Sequence, residues 1–305
     1  MQPARTYLQI VGGFCILNAL IPICSSYLRA FGFSKEPLYA SIIGNVINFC
    51  LNAFFLFVLH KGVAGVATAT VVSRIINLVI VVLLGAVLVK AKKHPERESN
   101  REVMGQIIRI GLPSACETAI YNVSMTLVIR FLNQMDAQGL NVTARSYTMQ
   151  ITNFSYCVGA ALAQANAIMT GWRIGAKEYD ACDRGTRKAA IIGVIVAVIL
   201  ETMFALCSGW IMQLFSKDPQ MVSLVGKLLA IDIVLEMGRV TNLVYGQALK
   251  TSGDAVFPVV MGACFMILCS VGGTYLFGIR LGLLAVGAYI GMAGDECVRA
   301  IGMYL

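Results

Sequence analysis

Acidic residues inside long apolar stretches are the first to consider, because an ionisable side chain in hydrocarbon is costly and usually marks an ion or substrate path. Glu117 stands in the apolar run 107–132, shortly after Pro113. A carboxyl removed from water takes up a proton more readily, and it is equally a sodium ligand. A hydrogen-bonded packing role is the alternative. In the run 221–249, Asp232, Glu236 and Arg239 are spaced by four and three residues, which sets all three on one helical face. Arg239 can neutralise one carboxylate and leave the other available for a cation, or the three can close into an ion-pair cluster that fixes packing. In the run 147–172, Gln150, Asn153, Cys157 and Gln164 define another face. Such a polar stripe suits a wet cavity or hydrogen bonds between helices. Glu201, Arg74, Asp295, Glu296 and Arg299 also lie in apolar runs and read as structural or interfacial, with Asp295 and Arg299, four apart, expected to pair.

Soluble catalytic chemistry finds no such footing. The sequence has no P-loop, and no G-x-S-x-G, H-E-x-x-H or dinucleotide fingerprint stands in a suitable context. Ten cysteines form no C-x-x-C pair and only two histidines are present, so the cysteines read as small packing residues rather than as metal ligands or disulfides. Neither an enzyme nor a cofactor-binding protein is expected. Asn141-Val142-Thr143 matches a glycosylation sequon.

The elements that must position these residues are membrane helices. Hydrophobic residues make up 58% of the chain and charged ones 13%, about half the charged share of a soluble domain. Apolar runs at 7–27, 37–60, 63–89, 107–132, 147–172, 189–215, 221–249, 257–277 and 283–305 are each long enough to cross a bilayer. They are too long and too evenly apolar for barrel strands. The expected fold is an all-α membrane protein of about nine transmembrane helices. The polar stretch 91–101 reads as a linker between a three-helix part, 1–90, and a six-helix part, 102–305. The net charge of +8 sits in short clusters between apolar runs, which is the pattern of membrane topology and not of nucleic-acid binding. Lysine and arginine fall mostly on the inner side if the first span runs inward, so the C-terminus is expected in the cytoplasm of a multi-pass cell-membrane protein. The N-terminal run is too long for a cleaved signal peptide and carries no small-residue cleavage site.

An internal repeat supports two bundles. Leu28-Arg29-x-x-Gly32-x4-Pro37 matches Leu249-Lys250-x-x-Gly253-x4-Pro258 at an offset of 221 residues. Lys61-Gly62-Val63-Ala64-Gly65-Val66 parallels Leu281-Gly282-Leu283-Leu284-Ala285-Val286 at an offset of 220. Six spans separate the copies, so equivalent helices point the same way, as in parallel transporter repeats. In each copy a helix ends on a cation, a glycine turns the chain, and a proline opens the next helix, where its missing N–H is not needed.

Several segments together resemble the multidrug and toxic compound extrusion family. They are Leu28-Arg29-Ala30-Phe31-Gly32 with Pro37; Gly62 through Thr70; Gly111-Leu112-Pro113-Ser114 with Glu117; Gly175-Ala176; Gly238-Arg239 with Asn242; and Leu249-Lys250 with Gly253-Asp254. The resemblance implies a twelve-helix fold in two lobes, of which this chain matches helices four to twelve and lacks the first three. It also implies antiport of organic, often cationic, compounds against Na+ or H+. Glu117 falls where the family has a cation-coupling glutamate, joined here by Glu236 and Asp232. Arg239, Asn242, Gln150, Asn153 and Tyr121 are the expected lining of a substrate cavity. A small organic substrate and membrane lipid are the expected partners, with the oligomeric state open. The rival readings are a lipid-linked oligosaccharide flippase of the same superfamily, or a truncated remnant that does not transport.

Overall fold

The structure is a computed structural model that describes residues 2–89, 100–136 and 139–305. All of its regular elements are helical among the described residues. The chain divides into two compact units, Met1–Arg97 and Glu98–Leu305. The expected linker 91–101 lies outside the described residues except at its last two positions.

In the first unit, α1 (Gln2–Gly13) and α2 (Ile16–Ala30) follow one another with a 45° bend at the break between them. The bend has a local cause. Gly12 and Gly13 adjoin a tight turn in which the Phe14 and Cys15 amides reach back three residues, to Val11 and Gly12. α3 (Lys35–Ala53) continues into a π-helical stretch, Phe54–Val58, and α4 (Gly62–Leu88) returns beside it. Leu28, Ala40, Val81 and Val89 form the core of this unit.

The second unit holds α5 (Asn100–Met135), α6 (Leu140–Gly175), α7 (Tyr179–Leu206) with the short α8 (Ser208–Met212), α9 (Pro219–Thr251), α10 (Val256–Phe265) and α11 (Leu284–Tyr304). α10 runs on through two π-helical stretches, Met266–Val271 and Thr274–Arg280. Every apolar run read from the sequence thus coincides with a helix, some broken or extended by a π turn. Length and composition alone qualify four spans to cross a membrane, Lys35–Val58, Gly62–Leu88, Tyr179–Leu206 and Val256–Arg280, and the bent pair qualifies as a fifth. α5, α6, α9 and α11 fall short of that test and carry most of the polar residues discussed below.

α9 is the axis of the second unit. It opens with Pro219 behind an Asp218 cap, whose carboxylate accepts the Gln220 N–H at 3.0 Å, and it packs against α6, α7 and α11. Small residues permit the close approach. A Cβ on Gly238 would lie 2.6 Å from the backbone of Glu296 on α11, and one on Gly159 of α6 would lie 2.8 Å from Val240. Gly193 of α7 faces the same valine.

The repeat is real, and its register differs from the sequence match. Gly32 and Gly253 both turn the chain with positive φ, +90° and +98°, and each turn closes with an i→i−5 amide bond, Phe33 to Leu28 and Asp254 to Leu249. At the far end of the hairpin, the Lys61 amide bonds Phe55 and the Leu283 amide bonds Phe277. His60 and Gly282 share positive φ, as do Gly62 and Leu284. These pairs are 222 residues apart, not 220; the sequence match had aligned two Gly-containing strings two residues out of step. The step from 221 to 222 has a structural source. The stretch Thr274–Arg280 corresponds to Phe54–Val58, whereas Met266–Val271 has no counterpart in the first hairpin. A π turn accommodates one more residue than an α turn, which accounts for the single inserted residue.

Two further expectations change. Cys15, Cys50, Cys116, Cys157, Cys207 and Cys264 are exposed rather than packed, since a thiol is apolar enough for a lipid-facing surface. The sequon asparagine is unavailable: Asn141 is 2% exposed, and its amide oxygen accepts the Ala285 N–H at 3.3 Å.

Candidate functional site

The spacing of Asp232, Glu236 and Arg239 on α9 does place them on one face, and that face is turned into the unit. Arg239 Nη1 donates to Glu236 Oε1 at 2.6 Å. Arg239 Nε stands 3.8 Å from Glu296 Oε1 on α11. Asn242, one turn below, donates to the other Glu296 oxygen at 2.7 Å and to the Glu296 backbone carbonyl at 2.9 Å. Glu296 Oε2 also meets Arg299 Nη2 at 3.0 Å. Arg299 holds Asp295 through two parallel bonds of 2.9 Å, and the Ser270 hydroxyl, in the extra π stretch, donates to Asp295 Oδ2 at 3.0 Å. The expected Asp295–Arg299 pair is therefore present, as one end of a network that crosses α9, α11 and the α10 extension. Glu296 is its hub, a place the structural or interfacial reading from sequence did not give it, because beside Arg299 its partners Arg239 and Asn242 lie on α9, 54 residues or more away.

Charge balance decides what this network can do. Two guanidiniums face five carboxylates: Glu201, Asp232, Glu236, Asp295 and Glu296. Arg299 and Asn242 serve Asp295 and Glu296, and Arg239 is committed mainly to Glu236. Asp232 is 2% exposed, and its Oδ2 meets no hydrogen-bond partner among the described residues. Arg239 thus bonds Glu236 and reaches Asp232 only through its charge, without a hydrogen bond. Glu201 of α7 joins this end, with one oxygen each from Glu201, Asp232 and Glu236 lying within 4.8 Å of one another. A signal for Glu201 was present: Gly193, Ala197 and Glu201 recur every fourth residue, so the face that lets α7 approach α9 also carries the acid.

Glu117 does not share this cluster. Its Oε2 accepts from Lys250 Nζ, near the C-terminal end of α9, at 2.5 Å, and its carboxyl lies against Gly262 of α10. The set named from sequence therefore separates into two places on α9, one at Asp232 and Glu236 and one at Lys250. Tyr121 lies one turn beyond Glu117 on α5 and is 41% exposed. Gln150, Asn153, Cys157 and Gln164 lie on the exposed side of α6. The buried side of that helix is a different polar stripe, Arg145, Thr148, Thr152 and Ser155, followed by Gly159 and Ala163. Short hydroxyl side chains are hidden in a sequence reading, because each can bond its own helix backbone, as Thr148 does to the Ala144 carbonyl at 2.9 Å.

Comparisons with known proteins agree with this architecture. The MatE family profile matches residues 113–276. The chain is 33% identical to an uncharacterised transporter, YisQ, of Bacillus subtilis (strain 168), over all of this chain and 68% of the relative. It is 22% identical to a probable multidrug resistance protein, YoeA, of the same organism, over 92% of this chain and 62% of the relative. A crystal structure of MATE in the straight conformation superposes with a TM-score of 0.87 at 19% identity, covering 98% of this chain and 67% of the other. The chain thus spans about two thirds of the length of these relatives.

Proposed function

Since this chain belongs to the MATE family of membrane transporters, we propose that it serves secondary active efflux: small organic molecules, often cationic, leave the cell in exchange for Na+ or H+ moving inward. The cell membrane is the proposed location, with the C-terminus cytoplasmic. The observation that carries the reading is the buried carboxylate of Asp232, whose Oδ2 meets no hydrogen-bond partner among the described residues, beside a Glu236 paired with Arg239. A fixed ion pair can be left alone by the solvent ions. A buried acid with an unbonded oxygen favours binding a cation or a proton, and it becomes costly when it gives that cation up. That difference couples cation occupancy to conformation, while the ion gradient supplies the driving force. A cation shifts a two-state transporter only by binding one state better than the other, and substrate must favour the opposite state.

Glu117 has a second role in this reading. Lys250 acts as a tethered counter-ion, so a cation or cationic substrate reaching Glu117 competes with an ammonium already in place. Arg239, Asn242, Tyr121, Gln150 and Asn153 are the proposed substrate contacts. The direct test is efflux of a fluorescent organic cation from cells expressing the protein, with an imposed Na+ or H+ gradient. Wild type exports dye against its gradient, Asp232→Asn abolishes the dependence on the ion gradient, and Glu117→Gln lowers the rate. Dye export equal to that of empty cells would overturn the proposal.

A further inference from the structure

We propose that Arg145, on the buried face of α6, holds one small monovalent anion inside the second unit, a halide or a carboxylate. The site uses none of the acids of the network above and stands independently of the cation-coupled reading.

Two arginines of this unit are buried to the same degree, Arg145 and Arg299, each 7% exposed. Their surroundings differ. Arg299 meets Asp295 at 2.9 Å and Glu296 at 3.0 Å. No carboxylate pairs with Arg145 among the described residues. Its Nη2 donates to the Met125 sulfur of α5 at 3.6 Å, a weak acceptor, and its buried Nε meets no hydrogen-bond partner. Ala144 and Thr148, beside it on α6, are fully buried, and the Thr148 hydroxyl is spent on its own helix. Tyr289 of α11, 1% exposed, is a neighbour that Arg145 shares with Asp232. A phenol is neutral, so it leaves the charge unbalanced. A guanidinium does not give up its proton either. An unpaired charge is among the most unfavourable groups a fold can bury, and a counter-ion from outside the chain removes that cost.

The donor set names the class of ligand. A guanidinium presents its N–H groups as a planar fork, and the open Nε with an adjacent Nη suits the two oxygens of a carboxylate or a single halide. One positive charge calls for one negative charge. A doubly charged anion would leave an excess charge buried and would lose more on leaving water. Water alone would satisfy the N–H group and not the charge. The close cover of Ala144, Thr148 and Tyr289 favours an ion of few atoms. A route exists from the end of the unit at which α6 and α9 begin. There Asn141, one turn from Arg145 on the same face of α6, lines an open cavity of about 690 Å³ with Leu140, Leu224, Leu284 and Lys227. A water in the liquid takes about 30 Å³, so a hydrated ion enters freely. Lys227 gives the mouth a positive charge; Asp136 on the same wall is engaged by the Leu140 amide at 2.7 Å.

The test is anion binding by the purified full chain in detergent, independent of transport. Thermal unfolding is followed while sodium chloride or sodium formate replaces sodium isethionate, whose anion is bulkier, at constant ionic strength. Binding of 36Cl− is measured by equilibrium dialysis. Wild type should show a saturable rise in Tm that isethionate does not produce. A rise with chloride, and one bound 36Cl− per chain, assigns the site to an ion of the medium. A rise with formate alone assigns it to a carboxylate, such as an organic substrate can carry. Arg145→Met, of similar length and apolar, should lose the response. It should also unfold at a higher temperature than wild type in isethionate, since the unpaired charge is gone. Arg145→Lys keeps the charge without the fork, so it should bind several-fold more weakly, with formate affected more than chloride. Identical wild-type curves in the three salts, or an undiminished response in Arg145→Met, would overturn the proposal. If Arg145→Met does not fold, chloride and formate responses of Arg145→Lys that both equal wild type do so.

Discussion

The hairpin of the first unit, α3 with α4, and that of the second, α10 with α11, are one design executed with two chemistries. Both turn at their ends with the same positive-φ positions. Both join their two helices by a side-chain bond at the same place: Asn48 Nδ2 to Ser73 Oγ at 3.1 Å in the first, and Ser270 Oγ to Asp295 Oδ2 at 3.0 Å in the second, each pair 25 residues apart. Both back that bond with a contact one turn along, Asn52 to Asn48 and Thr274 to Ser270. Around this shared frame the first hairpin places Ser73, Arg74 and Asn77 where the second has Asp295, Glu296 and Arg299. A neutral amide pair can be buried at small cost. The charged version persists only because α9 brings Arg239 and Asn242 to meet it. The span before each hairpin differs in the same sense, with α9 continuous and charged where α1 and α2 are bent and uncharged at the bend. One scaffold can therefore serve as a lobe with or without an ion network, and what decides is the neighbour that supplies counter-charge.

The strongest way to break the comparison is to remove one partner from the charged hairpin. Arg299→Leu leaves Asp295 and Glu296 short of a cation, and a loss of about 3–5 kcal/mol is expected in chemical unfolding. The matching change in the first hairpin, Asn77→Leu, removes an amide whose oxygen is already without a partner, so it should cost no more than about 1 kcal/mol. Equal losses would show that the two hairpins do not differ in the way described. A smaller effect tests whether the charges work as a unit. Asp295→Ser with Arg299→Asn converts the second hairpin to the chemistry of the first, and unfolding of the double variant should be milder than the sum of the singles by about 1–3 kcal/mol. The smallest effect concerns the common frame. Gly32→Ala and Gly253→Ala each force a side chain into the left-handed region, for a similar loss of about 1–2 kcal/mol in either copy; unequal losses would mean that the two turns are not equivalent.

Much of this was legible in the residues. The positions of the helices follow from apolar runs of membrane length, because lipid leaves the backbone no other way to satisfy its hydrogen bonds. The duplication was legible at Gly32 and Gly253, where only a residue without a Cβ turns the chain cheaply. The face shared by Asp232, Glu236 and Arg239, and the Asp295–Arg299 pair, follow from spacings of three and four. All of these are local rules, in which cause and consequence lie within one or two turns.

Pairings between helices were decided only by tertiary structure. Glu117 looks like a solitary membrane acid until Lys250, 133 residues later, is found beside it. Glu296 looks peripheral until Gly238 lets α11 touch α9. The polar face of α6 that sequence brings forward, through Gln150 and Asn153, is the exposed one, while Ser155 on the opposite face adjoins the acids. Hydropathy cannot separate a lipid-facing side from a buried one when both are apolar. The π stretch that inserts one residue into the second hairpin is likewise a matter of backbone hydrogen bonding that no side-chain pattern reveals. By itself the sequence determined a bundle of membrane helices built on a repeated hairpin, because burial in lipid and local turn chemistry act residue by residue. Which charges meet, and which are left without a partner, depends on distances across the bundle that only the packed helices define.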